Sequence, residues 1–217
     1  FDETETFFHE FGHGLHSIFS KCRFRSLSGT NVSRDFVELP SQIMENWASE
    51  PEVLRMYAKH YQTGEVIPEE LIKKLEDCGT YGQGFINAEL LAASLLDMQY
   101  HVITEPTQVS LPEYEDQQMA KIGLIPEIIS RYRSPYFQHI FAGGYSAGYY
   151  SYTWAAVLDS DAFEAFKENG LFDQTTAKAF RTNVLEKGNT DDAMKLYVAF
   201  RGKQPSIDPL LKKRGLK

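Results

Sequence analysis

The stretch FFHEFGHG, residues 7–14, places His9, Glu10 and His13 within a few consecutive positions and adds phenylalanine at 7, 8 and 11. A helix turns once every 3.6 residues, so positions four apart differ by about 40° in direction and roughly 6 Å in height. On such a helix His9 and His13 point to one side, and two imidazoles on one side can hold one Zn2+ at about 2.0–2.1 Å. Glu10 projects at the margin of that face. It is poorly directed to complete a coordination shell but close enough to accept a proton from an attacking water. Phe7, Phe8, Phe11, Leu15 and Ile18 give the segment a strong apolar side, which predicts a buried helix and not a loop. The bland alternative is a helix whose polar residues fall close together. It would bury two imidazoles and a carboxylate without partners, which is unfavourable, and a metal supplies partners.

A third ligand has to come from elsewhere. His16 lies only about 20° round the helix from His9, but roughly 10 Å further along the axis. Three ligands in one row cannot surround an ion tetrahedrally, so His16 reads as a packed or outer residue. Cys22 could bind zinc, although thiolate ligands lean towards structural sites. Glu38 lies in DFVELPSQIMENW, residues 35–47, which reads as a second helix capped by Ser33, with Pro40 in its first turns or kinking it. Val37, Met44 and Trp47 supply the core side of that helix. A loop through residues 28–31 would return its carboxylate to the ion. Glu45, one heptad beyond Glu38, is the alternative ligand or a partner of one. Spacing alone leaves a solvated role open for both glutamates.

The rest of the chain bounds these readings. With 217 residues, 42% hydrophobic and 24% charged, it can bury a sizeable core as one domain, which argues against disorder. The net charge of -8 offers nothing to phosphate backbones, so no nucleic-acid partner is expected. No apolar run approaches the roughly 20 residues a bilayer requires, so no membrane span is expected. Two cysteines, Cys22 and Cys78, build no disulfide framework, which suits a reducing compartment or indifference to redox state; a cytoplasmic location is expected. The chain opens Phe1-Asp2-Glu3 without an initiator methionine and reads as a fragment.

Helical signals dominate throughout. Residues 49–52, Ser-Glu-Pro-Glu, read as a capping box opening a helix that carries Val53, Leu54 and Tyr57 and stops near Gly64. Residues 68–72 open another, and 85–98 repeat apolar residues at three and four. Thr190 to Ala193 read as a cap before Met194, Leu196, Tyr197 and Phe200. There is no internal repeat and no strand ladder, although short β pieces are allowed at 26–31. The expectation is a mainly α protein in one compact unit.

Three separated motifs carry a resemblance. HEFGH at 9–13, SGTNVSRDFVELPSQ at 28–42 and HIFAGGYSAGYYSY at 139–152, in that order, together resemble the thimet oligopeptidase family of zinc peptidases. Within it the likeness is to the bacterial peptidyl-dipeptidases and oligopeptidase A, and FRGKQPSIDPLL at 200–211 extends it to the end of the chain. The resemblance implies one Zn2+ ion held by His9, His13 and Glu38, with Glu10 as general base. It places Tyr145, Tyr149 and His139 against the substrate and Tyr152 among the catalytic groups. It further implies short peptide substrates, cleaved to release C-terminal dipeptides or cut internally. The implied fold is a zincin-like helical catalytic domain, the C-terminal part of a bilobal oligopeptidase with a deep channel, with residues 1–217 as the catalytic portion. Chemistry independently favours tyrosine there, because a phenol stabilises the charge that develops on a carbonyl oxygen during amide hydrolysis. The glycines at 143, 144 and 148 would let the backbone approach a peptide or flex to admit it. The competing reading of Tyr149, Tyr150, Tyr152 and Trp154 is an aromatic core at helical spacing.

Overall fold

The computed structural model describes residues 1–217. Its contacts gather into two compact units, Phe1–Tyr81 with Ala155–Lys217, and Gly82–Trp154. The first unit opens with α1 (Asp2–Ile18), α2 (Arg34–Val37), α3 (Leu39–Ser49), α4 (Pro51–Tyr57) and α5 (Glu69–Cys78). The second contains α6 (Gln83–His101), α7 (Leu111–Lys121) and α8 (Gln138–Phe141). Helix α9 (Ser151–Asn169) begins in the second unit, and α10 (Gln174–Phe180), α11 (Ala193–Arg201) and α12 (Asp208–Lys213) complete the first. The only β pairing is an isolated bridge between Lys59 and Val66, so the chain is mainly α as its periodicity requires. No helix is long and apolar enough to cross a membrane.

Leu39, Ile43, Leu54, Leu158 and Val184 form the buried centre of the first unit. Trp47 of α3 lies edge-on to Phe163 and Phe166 of α9, with both ring centroids 4.7 Å away, and its indole N–H donates to the Leu171 carbonyl at 3.2 Å. Buried aromatic pairs in this geometry add to area burial, and the indole finds the polar partner it needs. Tyr197 of α11 is fully buried and donates its hydroxyl to Asp161 at 2.7 Å, which ties α11 to α9.

Local differences from the sequence reading have identifiable causes. The helix expected over 35–47 is split at Glu38 into α2 and α3. Pro40 lacks an N–H, and its ring would clash with the carbonyl four residues back; in the first turn of a fresh helix neither matters. Ser33 does sit at the α2 N-cap, but its carbonyl accepts the Phe36 and Val37 N–H groups while its side chain makes no capping bond. Ser49 belongs to the end of α3, Glu50 caps α4, and α4 stops at Tyr57, well before Gly64. The backbone beyond turns back on itself, with Ile67 N–H donating to Ala58 O and His60 N–H to Glu65 O. Residues 26–31 contain no strand but a 3-10 turn, Arg25–Leu27, closed by the Asn31 amide on two carbonyls. The α11 cap is Asp192, which accepts from Lys195 N–H at 3.1 Å, and not Thr190.

The largest difference lies in α1. Phe7, Phe11 and Ile18 are exposed, at 66%, 49% and 70%, whereas Gly12 and His16 are buried. The face turned inward is the one with the smallest residue, because α3 packs against α1 at Gly12. A Cβ at that position would stand 2.3 Å from the Pro40 carbonyl oxygen and 2.6 Å from Ser41 Cα. Backbone meets backbone there, and only glycine permits it.

Candidate metal centre

That close approach sets the geometry of the site. Glu38 stands at the junction of α2 and α3, just before Pro40, and is 2% exposed. Its Oε2 lies 3.3 Å from His9 Nε2 and 3.2 Å from His13 Nε2. Ser41 donates its hydroxyl to the same oxygen at 2.9 Å, which fixes the carboxylate. The two imidazoles are nearly perpendicular, at 85°, with centroids 5.0 Å apart. The ligand atoms of His9, His13 and Glu38 all fall within 4.8 Å of one another. Two nitrogens and one oxygen from two adjacent helices form a donor set that suits a single zinc ion with one position left open.

Electrostatics points the same way. Burial alone would push the His9 imidazole down, but hydrogen bonds to Glu38 and Glu45 outweigh it and raise its ionisation from 6.5 to about 10. Two carboxylates thus face the His9 ring, and a divalent cation held there would meet the same negative charge in place of the proton. Glu45 accepts from His9 Nδ1 at 2.6 Å. A carboxylate is an acceptor, so Nδ1 carries a proton towards Glu45, and Nε2 is the nitrogen that a metal would take by displacing its proton. His13 is not supported in this way: its Nδ1 is buried without a hydrogen-bond partner.

The other residues considered from the sequence take different places. Glu10 is exposed on α1 beside His9. His16 is fully buried, both its ring nitrogens lack partners, and burial followed by the charge of His13 lowers it to about 4, so it packs as a neutral ring. Cys22 directs its thiol at the carbonyls of Leu27 and Lys187, outside the metal group. An apolar cavity of about 990 Å³ in the same unit is lined by Phe8, Met44, Trp47, Met56 and Phe172, and none of His9, Glu10, His13 or Glu38 reaches it.

The second unit gathers the remaining candidates. Tyr145 and Tyr152 stack with centroids 5.3 Å apart and planes at 16°. The His139 ring lies edge-on to both, at 6.0 and 6.2 Å. Tyr149, expected on the substrate side, is 2% exposed in a core with Ala93, Phe137 and Ile140, and packs 5.1 Å from Tyr152. Burial, reinforced by Tyr132, pushes the Tyr149 phenol upward, so it stays protonated. The glycine-rich loop ahead of α9 is tied down by Asp97 of α6, a residue the sequence reading passed over. Its carboxylate accepts from the N–H groups of Ala147 and Tyr149, both at 2.9 Å. No local pattern marks it, because its partners are distant in sequence.

Comparison with known proteins adds an independent line. The model of peptidase family M3 matches residues 1–216. The chain is 46% identical to a dipeptidyl carboxypeptidase of Salmonella typhimurium over 217 residues, covering 99% of this chain and 32% of that protein. It is 41% identical to oligopeptidase A of Escherichia coli, covering 100% of this chain and 32% of that one. Saccharolysin of Saccharomyces cerevisiae is 33% identical, with 99% and 30% covered. The chain thus spans about a third of the length of the curated relatives it matches. With the family match running the length of a chain that also brings two histidines of an H-E-x-x-H helix onto one buried glutamate, the protein belongs to peptidase family M3.

Proposed function

We propose that the chain is the zinc-binding catalytic portion of a bilobal peptidase that hydrolyses short peptides in a channel, releasing C-terminal dipeptides. The observation that carries this reading is the convergence of His9 Nε2 and His13 Nε2 on the buried Glu38 carboxylate, at 3.3 and 3.2 Å. His9, His13 and Glu38 would hold the ion. Zinc, when bound, supplies a Lewis acid that polarises the scissile carbonyl and makes water a better nucleophile. Glu10, exposed beside His9, takes the proton from the attacking water and returns it to the leaving amine. Tyr152 donates its phenol to the developing oxyanion, Tyr145 and His139 line the peptide, and Tyr149 supports them from the core. The name of the 46% identical relative, a dipeptidyl carboxypeptidase, favours dipeptide release, while that of the 41% identical oligopeptidase A supports internal cleavage as the second reading. Of two Arabidopsis thaliana relatives, one is named probable cytosolic oligopeptidase A and the other organellar oligopeptidase A, and we assign this protein to the cytoplasm.

The test is hydrolysis of a short peptide and of its C-terminally amidated form by the protein at full length, before and after removal of metal with a chelator. Activity lost to the chelator, regained with zinc and sharply lower on the amide supports the proposal. Equal activity on both peptides would favour internal cleavage, and activity indifferent to the chelator would overturn the metal reading.

Glu45 has its own consequence. Removing the group that orients a metal-binding histidine weakens metal affinity by ~10–100-fold. Glu45→Ala is expected to fall in that range, measured by competition with a chromogenic chelator, and Glu45→Gln to fall less because its amide oxygen still accepts from Nδ1. Wild-type affinity in the alanine variant would remove Glu45 from the site.

A further inference from the structure

The loop over 142–148 holds three glycines and joins α8 to the helix bearing Tyr152. Such a composition would by itself sample many backbone conformations. The structure instead pairs most of its N–H groups with fixed acceptors. Gly143 N–H donates to Gln138 O at 2.7 Å, Tyr145 N–H to His139 O at 2.9 Å, and Gly148 N–H to Tyr145 O at 2.8 Å. The Ser146 hydroxyl donates to Ile140 O at 2.6 Å. The N–H groups of Ala147 and Tyr149 each take one oxygen of Asp97: Oδ1 for Ala147 and Oδ2 for Tyr149. Asp97 is fully buried, and His101 Nδ1 stands 2.9 Å from its Oδ1.

Ala147 is the one non-glycine residue with positive φ, at 51°. A side chain disfavours that left-handed backbone, so the surroundings must hold it. The group that does so is chemically specific. Two N–H donors aimed at two oxygens require a carboxylate, since asparagine would present an NH2 to one of them.

We infer that Asp97 is the positioning residue of this loop: by clamping the Ala147 turn it holds Tyr145 in its stack on Tyr152, at the spacing a bound peptide meets. This rests on the reading of Tyr145 and Tyr152 as substrate-facing. The strained turn and the buried carboxylate form one device, in which a loop free to flex by composition is held in a single shape. Asp97 touches no substrate and acts only through the loop.

The test uses Asp97→Asn, Ala147→Val and the double variant Asp97→Asn with Ala147→Gly, each in the protein at full length with zinc. Amide hydrogen exchange at Ala147 and Tyr149 is followed together with steady-state hydrolysis of a short peptide. Asp97→Asn is expected to speed exchange at both amides and to lower kcat/KM by ~10–100-fold, the scale of a misplaced positioning group. Zinc content should not change. Glycine at 147 adopts the turn without the clamp, so the double variant is expected to regain several-fold of the lost kcat/KM, which a general packing defect would not allow. Ala147→Val strains the turn from the loop side and is expected to lower kcat/KM likewise; it decides the question should Asp97→Asn not fold. Wild-type exchange rates in Asp97→Asn, wild-type kcat/KM despite faster exchange, or no response to either change at 147 would overturn the inference while leaving the peptidase reading intact. A wild-type protein that hydrolyses no peptide would instead sink the peptidase reading, and this inference with it.

Discussion

Glu10→Gln is expected to lower kcat for peptide hydrolysis by ~10²–10⁴-fold, the usual contribution of a positioned general base. The zinc content should stay at the wild-type level. Both halves follow from where Glu10 sits. It lies beside His9 but outside the group formed by His9, His13 and Glu38, and it is exposed, so an amide there disturbs neither the packing of α1 nor the ligand set. What disappears is the capacity to take a proton from water. The loss should therefore fall on kcat with little change in KM, the pattern of an interaction made only in the transition state. Metal analysis and steady-state kinetics on the same preparation check it. Loss of zinc together with activity would make Glu10 a ligand, and undiminished hydrolysis would remove it from the chemistry.

Gly12→Ala should do its damage from a position that touches no substrate. The added methyl would stand 2.3 Å from Pro40 O and 2.6 Å from Ser41 Cα, and both are backbone atoms without a flexible end to yield. Helices α1 and α3 must then move apart. Forcing an extra carbon into packed structure costs about 1–3 kcal/mol, a fall of roughly 2–12 °C in melting temperature for a chain of this size. Because Glu38 stands two residues before Pro40 and His13 immediately after Gly12, the same separation pulls the carboxylate from the imidazoles. Zinc affinity should drop by about tenfold or more, on the scale seen when ligand orientation is lost. Gly14→Ala is the control. A Cβ at Gly14 meets nothing within 4 Å, so alanine there should be neutral or stabilise the helix by about 0.5–1 kcal/mol. Equal melting temperatures and zinc affinities for the two variants would refute the close-approach account.

Much of this was legible in the chain. Local rules placed α1 and α6, because the helical period of their side chains is a property of neighbouring residues. They also gave the pairing of His9 with His13, which needs only positions four apart on one helix. They misplaced the ends of α4 and the cap of α11, where several acceptors stood close together and the backbone chose among them. They also read the buried side of α1 only in part, since of the five apolar residues just Phe8 and Leu15 are half-buried. Phe7, Phe11 and Ile18 made an apolar stripe, yet the inward face carries Gly12 and His16. Periodicity identifies a face but not which neighbour fits closely enough to cover it, and here the backbone of Pro40 and Ser41 fits only against a glycine.

The sequence by itself determined that the chain is helical, that it carries an H-E-x-x-H helix, and that a second acidic segment was available to complete a site, because each of these is written in the spacing of nearby residues. The tertiary structure alone decided that Glu38 meets both imidazoles at Nε2 while Glu45 meets His9 at Nδ1. It alone brought Asp97 to the amides of Ala147 and Tyr149. The reason is common to both. A carboxylate's partner is set by where two distant backbones come within hydrogen-bonding reach, and that distance is fixed by packing between elements, which no local spacing encodes.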